Sequence, residues 1–180
     1  MLITISAASA STQAYLIQTA LTAAAALAPG LELAGRPAWR AEASANEHTA
    51  SAQEQAALGR DAAGRTVVVW QSKRQEPDAS YGIFARRFDA ALAPLGPEVH
   101  VNQHTAGVQV RPAVALAPSG AAWFAWESYG QDGHLGGVLV RRFDPELQAS
   151  TGELLADTLR DGHQAEPAVA ADAEGRALVV

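Results

Sequence analysis

Five histidines, nineteen acidic residues and no cysteine set the chemistry open to this chain of 180 residues. Without cysteine there is no disulfide, no thiolate metal site and no thiol nucleophile. His48 and His104 stand at the same place in two copies of one pattern, and His100, His134 and His163 are scattered. Zinc requires three or four ligands converging in space. The third copy carries Leu159 at the matching position, so the histidines read as turn or surface residues. Asp78 and Asp132 lie in polar loops beside Gly and Ser, and calcium is bound by oxygens that such loops supply. Neither loop has the dense Asp spacing of an EF-hand. These two residues are the calcium candidates, and no other cofactor is expected. Glycoside hydrolysis uses two carboxylates flanking the bond. Glu127 follows Trp126, but its counterpart in the other copy is Gln71, which cannot be an acid or a base. No residue is therefore assigned a catalytic role. The glycine-rich run 133–137 lacks the lysine and the helix of a phosphate loop, and no serine nucleophile motif occurs.

Composition narrows the function classes further. The chain is 48% hydrophobic and 18% charged, enough apolar material for a packed core. Its formal charge is −6. Nucleic acid and anionic membrane surfaces are bound by basic patches, so neither is an expected partner. Lys73 is the one lysine beside twelve arginines and reads as a solvated loop charge.

The elements that position these residues come from a repeat. Glu42-Ala43-Ser44-Ala45-Asn46-Glu47-His48-Thr49 aligns without a gap on Glu98-Val99-His100-Val101-Asn102-Gln103-His104-Thr105. The same offset of 56 pairs Gln53 with Gln109, Gly64 with Gly120, Trp70 with Trp126 and Ser72 with Ser128. At an offset of 55, Arg86-Arg87-Phe88-Asp89 returns as Arg141-Arg142-Phe143-Asp144, and Pro112-Ala113-Val114-Ala115 as Pro167-Ala168-Val169-Ala170. The copies lie near 42–97, 98–152 and 153–180. The third stops one residue before the counterpart of Trp126, which suggests a piece of a longer protein.

Each period holds four strand-like runs, for example 112–116, 121–127, 138–143 and 153–157. The first two are joined by a turn with Gly late in it, and two of the three copies open that turn with Asp. Asp binds following backbone N–H groups and Gly accepts positive φ. Thr66-Val67-Val68-Val69-Trp70 is almost continuously apolar, as in a strand buried on both faces. The arginines of Arg86-Arg87 are expected to reach solvent or a neighbouring carboxylate. Four antiparallel strands per period predict an all-β fold of β-propeller blades, about two and a half of them. A ring closes with roughly four to eight, so this piece alone should leave a flank exposed. A tandem β-sandwich is the competing architecture.

Residues 1–41 are different. The run 13–28 is rich in Ala and Leu, and Ile17, Leu21, Ala24 and Ala28 share a helical face, ended by Pro29-Gly30. The same run also reads as a secretory signal ending in Ala26-Leu27-Ala28, although no positive n-region precedes it. It is too short and polar for a good membrane span. Residues 1–41 are thus a separate N-terminal segment, helical or irregular, ahead of the repeats at 42–180.

Over residues 42–180 the motifs Val68-Val69-Trp70-Gln71-Ser72, Arg87-Phe88-Asp89, Val101-Asn102-Gln103-His104-Thr105-Ala106-Gly107-Val108-Gln109 and Pro112-Ala113-Val114-Ala115 resemble the blade repeats of large secreted or surface bacterial proteins. The resemblance implies a non-catalytic secreted or cell-surface scaffold. It would bind an extracellular ligand, glycan or protein, through the loops after the tryptophan strands. The alternative is the propeller of a secreted hydrolase whose catalytic residues lie elsewhere. Arg60-Asp61-Ala62-Ala63-Gly64-Arg65-Thr66 only partly imitates the Asp-Gly turn of glycan-hydrolysing propellers. The loop 72–81 also departs from the family, lacking the Asp-Gly that Asp132-Gly133 keeps.

Overall fold

A computed structural model describes residues 18–19, 43–131, 136–156 and 162–180. Every element in it is a strand. A short pair, β1 (Gln18–Thr19) and β2 (Ala43–Ser44), precedes a four-stranded antiparallel sheet of β3 (Gln53–Arg60), β4 (Thr66–Lys73), β5 (Tyr81–Phe88) and β6 (Val99–His100). A second sheet of the same order follows: β7 (Gln109–Leu116), β8 (Ala122–Ser128), β9 (Gly137–Phe143) and β10 (Leu154–Leu155). The hairpin β11 (Val169–Ala171) and β12 (Ala177–Val179) begins a third. Strands neighbouring in sequence pair in space, so both complete sheets are simple meanders. The sheets stack without closing into a ring.

The pairing shows that sequence repeat and sheet are out of phase. Ser44, His100 and Leu155 are equivalent positions; they pair with Gln18, Phe84 and Leu139. β2 therefore takes the place that β6 and β10 take in the full sheets. Each sequence copy starts with the outer strand of one sheet and continues with the three inner strands of the next. Most of the run 13–28, read as helix or signal, lies outside the described residues. Gln18–Thr19 within it are extended, not helical, because their backbone pairs with Ala43–Ser44.

The turns follow their residues. In the first hairpin Asp61 accepts the Arg65 N–H at 2.9 Å, and in the third Asp172 accepts the Arg176 N–H at 2.8 Å. Gly64, Gly120 and Gly175 close the three turns at φ of 84°, 90° and 80°, where a β-carbon would be strained. The Arg176 side chain also binds Asp172, and that hydrogen bond holds the carboxyl below its usual range. Asp89 and Asp144 do the same work in the later turns: each accepts two backbone N–H groups, from Ala91 and Ala93 and from Glu146 and Gln148.

The apolar run of β4 is buried on both faces because sheets lie on either side of it. Val67 and Val69, with Ile83, Ala85 and Val101, pack against Ala122, Phe124, Trp126 and Phe143 of the second sheet. Val68 and Trp70 point the other way, with Phe84 and Phe88, towards Ala45. On the far face of the second sheet Ala125, Val138 and Val140 meet Val169 and Val179 of the third hairpin. Trp70 and Trp126 are fully buried, each facing the preceding sheet. They are core anchors. Trp126 Nε1 donates to Gln109 Oε1 at 3.1 Å. Beyond the third hairpin the stack is open: Leu178 is 66% exposed and Val180 79%.

Candidate functional site

The polar residues that the repeat keeps are engaged in joints between sheets. Ser72 donates to Gln75, and Gln75 to Glu98; Ser128, Gln131 and Glu153 form the same relay. Glu98 also accepts the Glu47 N–H at 2.8 Å, and Glu153 the His104 N–H at 3.2 Å. Asn46 and Asn102 donate to the carbonyls of His48 and His104. These two histidines thus contribute backbone to a clamped turn.

The first arginine of each Arg-Arg pair adds carbonyl partners that the sequence reading did not expect. Arg86 donates to the Gly96 carbonyl at 2.8 Å and to that of Ala45 at 3.5 Å. Arg141 donates to Thr151 at 3.0 Å and Val101 at 2.6 Å, the equivalent carbonyls. Arg86 adds a pair to Glu47. Arg141 is buried, and burial lowers its pKa. Outer-strand carbonyls of the preceding sheet would otherwise go unpaired at the joint, and a guanidinium satisfies several acceptors at once.

Where the inner strands begin, the copies agree in backbone and differ in side chain. β3 and β7 carry a bulge between Glu54 and Ala57 and between Val110 and Ala113. Gln55, Arg111 and Glu166, all equivalent, have φ of 52°, 53° and 55°. The left-handed region suits glycine and strains other residues. Each joint also locks the bulge that follows it. Gln71 Oε1 accepts the Arg111 N–H at 3.0 Å, and Glu127 Oε1 accepts the Glu166 N–H at 2.6 Å. Gln55, Arg111 and Glu166 line one cavity of about 430 Å³ with Pro112 and Pro167. A neighbouring cleft of about 380 Å³ shares Gln55 and Arg111 and is completed by Gln71, Val108, Val110 and Tyr129.

Glu127 is the most heavily engaged acid of this region. Its side chain is fully buried. Arg111 Nη1 donates to both of its oxygens at 2.9 Å, the Tyr129 hydroxyl to Oε2 at 3.3 Å, and His163 Nε2 lies 3.8 Å away. The hydrogen bond to Glu127, then its charge, raises the Arg111 pKa. A carboxylate with this many donors is an acceptor hub and not a free acid.

Glu76 was not legible in the sequence. Its side chain is buried in the loop after β4, bound by His100 Nε2 at 2.6 Å and Asn102 Nδ2 at 2.7 Å, with His100 stacked on Phe84. An isolated acid in a polar loop gives no periodic signal of burial. Gly82 leaves the room: a β-carbon there would overlap the Glu76 carboxylate. Gly82→Ala is expected to lower unfolding free energy by about 1–2 kcal/mol in urea titration, since Glu76 is held by two partners and cannot swing away.

Of the calcium candidates, Asp78 accepts the Ser80 N–H through Oδ1 and the Gly107 N–H through Oδ2, both at 2.9 Å. It ties its loop to the linker before β7. Asp132 and His134 lie outside the described residues. Among the described residues no three histidines or acids gather as metal ligands. Lys73 ends β4 and lies over the Tyr81 ring. Comparison with family models, curated proteins and solved structures finds no match for the chain.

Proposed function

We propose that the chain is a run of β-propeller blades acting as a non-catalytic binding scaffold, secreted or on a cell surface, for an extracellular ligand. One observation carries the reading. Three equivalent positions keep a left-handed backbone that glycine would fill best, yet hold Gln55, Arg111 and Glu166 around one cavity. Strain of this kind collects at functional sites. A constant backbone with changing side chains suits recognition. The repeated acids and arginines, by contrast, are engaged in joints. Ser72, next to last in β4, pairs with Gln53 at the start of β3, so the loops after the tryptophan strands share this edge with the bulges.

The test is turnover. Incubated with fluorogenic glycosides, esters and peptides, the full chain is expected to release no product, and Glu127→Gln to leave that blank unchanged. Product formation that Glu127→Gln abolishes would establish the hydrolase reading instead.

A further inference from the structure

The cleft beside the first bulge has two unlike kinds of lining. One is apolar: Val108, Val110 and the Tyr129 ring. The other is planar and polar: the Gln55 and Gln71 amides and the Arg111 guanidinium. Gln71 is occupied, its oxygen by the Arg111 N–H and its nitrogen by Glu54 at 3.3 Å. The Gln55 amide is not: it makes no hydrogen bond to any described residue and stands exposed on β3. Arg111 uses Nη1 alone, so Nε and Nη2 have no partner among the described residues. The cleft thus brings together an amide, several N–H donors and aromatic and aliphatic side chains.

We propose that this cleft binds a neutral pyranose sugar, its C–H face on Tyr129 and Val110 and its hydroxyls on Gln55 and Arg111. The inference rests on the binding reading above and names its ligand class. A pyranose is itself two-sided, with hydroxyls around an edge and a patch of C–H groups on a face. An adjacent pair of hydroxyls both donates and accepts, which an amide and a guanidinium fork can answer together. The cleft's size falls at the lower end of small-ligand pockets, suited to one or two rings. Charge selects neutral over acidic sugars. Glu127 already neutralises Arg111, and Glu54 and Glu166 flank the site, so an added carboxylate would face acids without a free cation.

Saturation-transfer difference NMR on the full chain tests this with methyl glucopyranoside, galactopyranoside and mannopyranoside, against methyl glucuronide. Transfer is expected to the ring C–H protons of at least one neutral sugar and to be weaker for the glucuronide. Gln55→Ala, which removes no internal hydrogen bond, should weaken that binding about tenfold. Tyr129→Phe should keep it and Tyr129→Ala lose it. Should Tyr129→Ala not fold, Gln55→Ala still decides. Silence with every neutral sugar, tighter binding of the glucuronide, or binding unmoved by Gln55→Ala would overturn the proposal. A chain silent to sugars but captured by an immobilised extracellular protein would overturn the sugar assignment alone and leave the binding scaffold standing.

Discussion

Trp126→Ala is expected to cost about 3–5 kcal/mol of unfolding free energy, the range for removing a large aromatic from a packed core. Trp126 is fully buried, and its ring fills the space between the two four-stranded sheets, against side chains of β4 and β5. Its Nε1–H is satisfied by Gln109. Alanine leaves a cavity and orphans Gln109 Oε1 together. Domains are stable by roughly 5–15 kcal/mol, so the loss is a large fraction of the total, and the midpoint of thermal unfolding should fall on the order of 10 °C. Trp126→Phe keeps most of the volume and loses the hydrogen bond, so its loss should be smaller. A loss below about 1 kcal/mol for Trp126→Ala would mean that the sheets are not held together through this face.

Glu127→Ala is the second large effect, about 2–3 kcal/mol. It strips the acceptor from the Glu166 N–H and the Tyr129 hydroxyl, both partly buried contacts, and removes the buried partner of the Arg111 guanidinium; leaving such donors unpaired costs about 1–3 kcal/mol. Glu127→Gln should cost less than about 1 kcal/mol. The equivalent residue Gln71 already shows an amide oxygen accepting the next bulge N–H. The ratio of the two losses, read from urea unfolding, separates a joint from a charge site. Equal losses would say that the negative charge matters and that the comparison with Gln71 misleads.

Much of the architecture was legible because a repeat multiplies weak signals. The four strands per period, the late glycine in each first hairpin and the burial of Trp70 and Trp126 all follow from residues seen twice or more. The phase of the sheets was not. Sequence copies align wherever similarity begins, at Glu42 and Glu98, whereas sheets are delimited by hydrogen bonding, which gives Ala43–Ser44 to the pair before. The carbonyl partners of Arg86 and Arg141 were hidden for another reason. An arginine in a strand reads as a surface charge, and only the approach of the next sheet makes carbonyl oxygens its partners. The site was the least legible part. Gln55, Arg111 and Glu166 share a position but no chemistry, so alignment hides them; what unites them is a backbone angle. The candidates that did draw attention, the equivalent His48 and His104, donate their backbone N–H groups to joints.

Denaturant unfolding of Gln55→Gly tests the central claim, that the bulge side chains face a ligand and do not hold the fold. Glycine accepts the left-handed backbone of this position without strain but adds freedom to the unfolded chain. The account predicts a stability unchanged or raised by up to about 1 kcal/mol. A fall of more than about 1 kcal/mol would show that Gln55 is kept for stability, and would contradict it.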